Sequence, residues 1–177
     1  MNARDIPIAT QRPGVTLRPA TRDDVPLILA LIRELAEYER EPDAVQTDEA
    51  MLAANLFGDA PGAEVVIADV DDQPAGFALF FHNFSTWLGR RGLYLEDLFV
   101  RPEFRGRGVG HVLMTYLARL AVERGCGRFE WSVLDWNTPA IDFYRRLGAV
   151  GMEEWTVQRV SGEALQALAI GFDAARG

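Results

Sequence analysis

The run Tyr94-Leu95-Glu96-Asp97-Leu98-Phe99-Val100 is followed by the basic turn Arg105-Gly106-Arg107-Gly108-Val109-Gly110, and no other stretch restricts the fold as much. The first part is rich in β-forming residues and carries two adjacent carboxylates. After the turn, Val109, Val112, Leu113, Tyr116, Leu117 and Leu120 form one apolar stripe, which predicts a helix over residues 109–123. The unit is therefore strand, glycine-rich turn, helix. Such a turn leaves backbone N–H groups free to face an anion, and the helix start adds partial positive charge. A phosphorylated ligand fits that place.

The rest of the chain alternates in the same way, predicting an α/β fold with a mixed sheet of six to seven strands and flanking helices. Strands are expected at residues 15–18, 63–70, 74–84 and 92–100, with residues 71–74 as a hairpin turn. A further strand is expected at 128–134, and the last two at 150–152 and 155–160. A helix after Asp24 places Val25, Ile28, Leu29, Ile32 and Ala36 on one face, with Pro26 in its first turn. Another spans 47–57, capped by Thr47 or Asp48 and closed by Gly58. A later one is capped by Thr138, has Pro139 at its first helical position and ends at Gly148, and residues 161–170 close the chain. Residues 1–13 are expected to be a flexible tail and 14–177 a single domain.

Composition removes several function classes. A net charge of -8 disfavours sequence-independent nucleic-acid binding and suits cationic partners. The single Cys126 permits no internal disulfide, and His82 and His111 offer no metal-ligand spacing, so no metal is expected. No signal-like or membrane-length apolar run is present, which points to a cytoplasmic protein without a membrane partner. The glycine turn has three readings. A P-loop needs Lys-Ser or Lys-Thr after its last glycine, where Gly110-His111 stands, and that reading falls. A dinucleotide fingerprint needs a third glycine or alanine where His111 stands. The third reading is a cradle for the pyrophosphate of coenzyme A, formed by Arg105-x-x-Gly108-x-Gly110.

Both segments, together with the string running from Asp135-Trp136-Asn137-Thr138-Pro139 to Phe143-Tyr144-Arg145-Arg146-Leu147-Gly148, resemble the GNAT superfamily of acetyl-CoA-dependent N-acetyltransferases. Within it the pattern is most similar to the spermidine/spermine and thialysine N-acetyltransferases, and the likeness runs from about residue 15 to 168. The resemblance implies direct acetyl transfer to a primary amine of a small polyamine, diamine or lysine-like amino acid, in a homodimer. It implies that Leu98, Phe99 and Val100 offer a backbone N–H to the thioester oxygen, and that Arg105, Gly106, Arg107, Gly108, Val109 and Gly110 hold the pyrophosphate. Tyr144 stands where the family places the proton donor to the leaving thiolate. Asn137 either contacts the pantetheine arm or caps its helix.

An alkylammonium has a pKa near that of lysine, about 10, so a base must take a proton before the amine can attack. The resemblance gives that role to Glu96, with Asp97 helping to hold the cation. Neighbouring residues on a regular strand point to opposite faces, so both reach one ligand only if the strand is distorted. Trp87 is expected to line the amine channel by a cation-π contact. Arg101 adds positive charge near the turn, whereas Glu34, Glu37 and Glu41 read as a solvated helix face. Alternatives that the sequence leaves open are a GNAT protein acting on a protein N-terminus, a lysine side chain or an aminoglycoside, and a non-catalytic acyl-CoA sensor.

Overall fold

The computed structural model describes residues 7–173, which fall into two compact units that divide after residue 132. In the first, six strands form one sheet in sequence order: β1 (Ile8–Ala9), β2 (Val15–Pro19), β3 (Glu64–Val70), β4 (Gln73–Ser85), β5 (Arg90–Val100) and β6 (Arg128–Trp131). Neighbours are antiparallel except β5 and β6, which are parallel and joined by a helix, as a parallel pair requires. The sheet is thus mixed and the class α/β, as the sequence leads one to expect.

Two helices cover one face. The first, α1 (Val25–Tyr38), and the second, α2 (Glu49–Phe57), bury Ile28, Leu31, Leu35 and Leu52 against Val65, Ile67, Phe77 and Phe99. Asp48 caps α2 by accepting a hydrogen bond from the Met51 N–H at 2.8 Å. The helix α3 (Val109–Glu123) lies against the sheet and buries Val109, Val112, Leu113, Met114, Leu117 and Ala121. Its limits are those read from the apolar stripe. Gly125, at φ 67, ends it in a left-handed turn that also carries the Cys126 N–H back to the Ala121 carbonyl. The β3–β4 connection is a two-residue turn with Asp71 and Asp72 both at positive φ, the geometry that matches strand twist in a hairpin.

Two expectations are corrected here. Residues 1–6 of the expected tail lie outside the described residues, but Ile8–Ala9 is not loose: it pairs with Thr16 and Leu17 as an edge strand. The reason is the turn Arg12-Pro13-Gly14-Val15, with proline second, Gly14 at φ 73 and a Val15 N–H to Arg12 carbonyl bond of 3.1 Å, which folds the chain back on itself. The second concerns residues 150–160. Their alternating apolar residues suggest strands, yet they run without regular structure and are exposed. A strand needs a hydrogen-bonded partner, and among the described residues of the second unit there is no other strand to supply one. The strand expected at 128–134 likewise stops at Trp131, where its register with β5 ends.

The second unit contains α4 (Thr138–Arg146) and α5 (Gly162–Asp173). Asn137, not Thr138, caps α4. Gly148 at φ 90 closes it, with the Gly148 and Ala149 N–H groups returning to the Arg145 and Tyr144 carbonyls.

Candidate active site

The acidic end of β5 is distorted. Leu79 pairs with Asp97 and Phe80 with Leu95, so Glu96 has no residue opposite it and forms a β-bulge. Leu95 faces away from α1, together with its partner Phe80, and alternation then turns Glu96 toward α1. The bulge resets the phase, so Asp97 also shares the α1 face with Leu79 and Phe99, both of which pack in the α1–α2 cluster. The obstacle posed by a regular strand is thereby removed: two consecutive carboxylates lie on one side of the sheet.

Their surroundings differ. Glu96 is exposed, whereas Asp97 is half-buried, and its carboxyl is pushed up to about 6, first by burial and then by the nearby charges of Glu96 and Glu39. Glu39 sits at the C-cap of α1, and its own carboxyl is raised by burial. A left-handed Arg40 at φ 67 ends that helix, with the Arg40 and Glu41 N–H groups bonded to the Glu37 and Ala36 carbonyls. Among the described residues no ion pair neutralises Glu39, Glu96 or Asp97. Neighbouring carboxylates without an ion pair are arranged to receive a cation. Glu39 is the residue that sequence reasoning missed. Its position at the end of an apolar helix was visible, but its approach to β5 was not.

Arg101 fixes this end of β5. It makes a bidentate ion pair with Glu34 of α1, at 2.7 and 2.8 Å, and donates to the Pro74 carbonyl at 2.9 Å. It is a tie between helix and sheet and not a member of the phosphate group. Beyond Leu95 the ladder with β6 ends, so residues 96–100, including Leu98, Phe99 and Val100, leave the β6 side of β5 without ladder bonds. Alternate N–H groups there are free to serve as hydrogen-bond donors.

The turn that follows meets the demands of an anion cradle. Gly106 and Gly108 adopt φ 76 and 84, which place successive N–H groups on the inside of a bend, and Gly108 is the N-cap of α3. The N–H groups of Val109 and Gly110 stand at the helix start, where no intrahelical acceptor exists. A Cβ on Gly106 would meet nothing within 4 Å, so its glycine answers a backbone need and leaves open space above the bend. The arginines divide their tasks. Arg105 turns back, its guanidinium 4.7 Å from the Tyr38 ring centre and 5.8 Å from that of Phe99, and donates to the Val100 carbonyl at 2.9 Å. Arg107 is exposed and pairs with Asp71 at 2.8 Å.

Of the remaining candidates, Trp87 stands apart from this group. Trp87 is at the tip of the β4–β5 hairpin and 88% exposed. At about 3.3 Å per residue, the six steps from Arg90 to Glu96 put the carboxylates ~20 Å along the strand from that tip. Within the first unit Trp87 is not brought to them. In the second unit the Asn137 side chain accepts from the Ala140 N–H at 3.4 Å, which gives it the capping role. Tyr144 is half-buried, its ring centre 5.3 Å from that of Phe143.

A sequence profile of the Acetyltransferase (GNAT) family matches residues 28–149, a span that includes the bulge, the turn and α4. The chain belongs to the GNAT acetyltransferase family and is an N-acetyltransferase. Thialysine N-epsilon-acetyltransferase from Bos taurus is 40% identical over 166 residues, covering 88% of this chain and 97% of its own. L-ornithine N5-acetyltransferase from Arabidopsis thaliana is 33% identical and covers 86% of each chain. The solved structure of an integron cassette protein from V. cholerae superposes with a TM-score of 0.74 at 30% identity, covering 88% of this chain and 98% of that one. The family uses acetyl-CoA, and the free amides and open bend of residues 106–110 fit its diphosphate. Among the described residues no helix is long and apolar enough to cross a membrane, and no three His, Cys, Asp or Glu side chains gather as metal ligands would.

Proposed function

We propose that this GNAT enzyme acetylates the primary amine of a small cationic acceptor: a lysine-like amino acid, a diamine or a polyamine. The observation that carries the proposal is the bulge at Glu96, which sets Glu96 and Asp97 on one side of β5 near Glu39 of α1, with no ion pair to any of the three among the described residues. Such a cluster attracts an ammonium and gives it carboxylates to which it can lose a proton. The curated relatives that act on thialysine and ornithine support an acceptor of this class.

In this reading the N–H groups of residues 106–110 bind the diphosphate of acetyl-CoA, which supplies the thioester carbon that the amine attacks. A carboxylate at the bulge takes a proton from the incoming ammonium. The neutral nitrogen then forms the new C–N bond, an N–H of Leu98, Phe99 or Val100 meets the negative charge developing on oxygen, and the C–S bond breaks. Tyr144 donates its phenolic proton to the departing thiolate, and its phenolate regains one, directly or through water, from the second proton that the newly bonded nitrogen sheds, while the carboxylate returns its own proton to solvent. No covalent enzyme intermediate is involved.

The base has two assignments. Glu96 is exposed at the bulge and reaches the ammonium directly or through water, as the family resemblance implies. Asp97 is favoured by a specific observation: its carboxyl is pushed up to about 6, nearer to working pH than an ordinary carboxylate and so better matched to proton transfer. Thiol release from acetyl-CoA, measured across thialysine, ornithine, lysine, diamines, polyamines, aminoglycosides and peptides, tests the proposal. Turnover confined to small cationic primary amines supports it. Turnover only with peptides or aminoglycosides, or with no amine at all, overturns it.

A further inference from the structure

We infer that Arg12, held in a strap N-terminal to β2, is a phosphate-binding residue for acyl-CoA and closes the diphosphate cradle from outside; the inference rests on the acetyl-CoA reading of the turn. The strap holds the backbone of this residue in place. Thr10 Oγ1 donates to the Val15 carbonyl at 2.7 Å and accepts from the Arg12 N–H at 3.2 Å, while the Pro13-Gly14 turn bonds the Val15 N–H to the Arg12 carbonyl. The pairing of β1 with β2 secures the segment from its other end.

From this anchored backbone the guanidinium lies against the N-cap of α3. A Cβ added to Gly108 would lie 3.0 Å from Arg12 Nε and 3.4 Å from Cζ, so the arginine occupies the space that the glycine leaves open. Most other arginines around the cradle are engaged: Arg101 with Glu34, Arg107 with Asp71, and Arg105 with the Val100 carbonyl and the Tyr38 ring. Arg12 is exposed and, among the described residues, has no carboxylate partner. An uncommitted guanidinium beside free amides and a helix start is suited to bidentate phosphate recognition. On its other side an open groove of about 530 Å³ runs between the strap and α3, with Arg12, His111 and Arg119 in its lining, so the guanidinium has space to move.

The test compares acetyl-CoA with S-acetylpantetheine, which carries the same thioester but no diphosphate. Arg12→Ala lowers kcat/KM for acetyl-CoA about tenfold, the loss of one charge-assisted hydrogen bond, and Arg12→Asp lowers it further. Neither variant changes kcat/KM for S-acetylpantetheine appreciably. Unchanged kinetics with acetyl-CoA overturn the inference, and so does an equal fall with both thioesters, which would mean that the substitution merely disturbs the turn. A wild-type enzyme that turns over acetyl-CoA while its Arg12 variants are indifferent overturns this inference alone. A wild-type enzyme with no use for acetyl-CoA overturns the functional reading as well.

Discussion

Asp97→Asn makes the protein more stable and less active, and the gain depends on pH. Burial and the charges of Glu96 and Glu39 raise the Asp97 carboxyl from 3.8 to about 6, a shift of about two units. At ~1.4 kcal/mol per unit, ionising Asp97 costs the folded chain up to ~3 kcal/mol, and local relaxation and water penetration reduce the observable value to ~1–2 kcal/mol. The folded pKa is above the unfolded one, so the folded state holds the proton more tightly. The penalty is therefore absent below about pH 4, grows as the pH rises through the interval from 3.8 to about 6, and is complete above it. Asparagine has nearly the same shape and never ionises, so it removes the penalty. Urea unfolding of wild type and variant from pH 4 to 8 measures the difference, which should be near zero at the acid end and reach its maximum by about pH 7. A variant that is destabilised at pH 7, or a difference that does not vary with pH, refutes the electrostatic account of this cluster.

Three further outcomes are expected under the proposed function. If Asp97 is the base, the acidic limb of the kcat/KM profile near pH 6 disappears in Asp97→Asn; if Glu96 is, Glu96→Gln loses rate most at neutral pH and recovers partly at alkaline pH, where neutral amine is plentiful. Tyr144→Phe lowers kcat by roughly the 10²-fold of a lost general acid, with acetyl-CoA affinity by calorimetry nearly unchanged, and equal turnover removes the residue from the mechanism. Gly108→Val forces a β-branched residue to φ 84 and drives its Cβ to 3.0 Å from Arg12, so acetyl-CoA binding, measured by calorimetry, falls by an order of magnitude or more.

Where a local rule was enough, the sequence was legible. The stripe from Val109 to Leu120 specified α3, and Asp48 and Gly58 bounded α2 because caps act within one turn. The strap was legible in principle, since Pro13-Gly14 is a turn signal, but a two-residue strand has no periodicity to read. Residues 150–160 had strand-like residue types, and pairing cannot be inferred from residue type. The carboxylate pair marked the site, while the bulge that makes it work was only hinted at. A strict alternation would have put Asp97 in one row with Leu95 and Phe99, and the slip between Leu95 and Asp97 relieves that conflict only for Leu95. Asp97 stays on the face of Phe99, where burial and Glu39 raise its pKa. The contribution of Glu39 depends on how the end of α1 meets β5, a distance of many residues along the chain.

Hydrogen–deuterium exchange of the intact protein, with and without acetyl-CoA, tests the central claim most directly, because the claim assigns the diphosphate to particular amides. Protection concentrated in residues 106–110 is the predicted result. Acetyl-CoA that leaves those amides exchanging at their free rate, or that protects a different part of the chain instead, would contradict it.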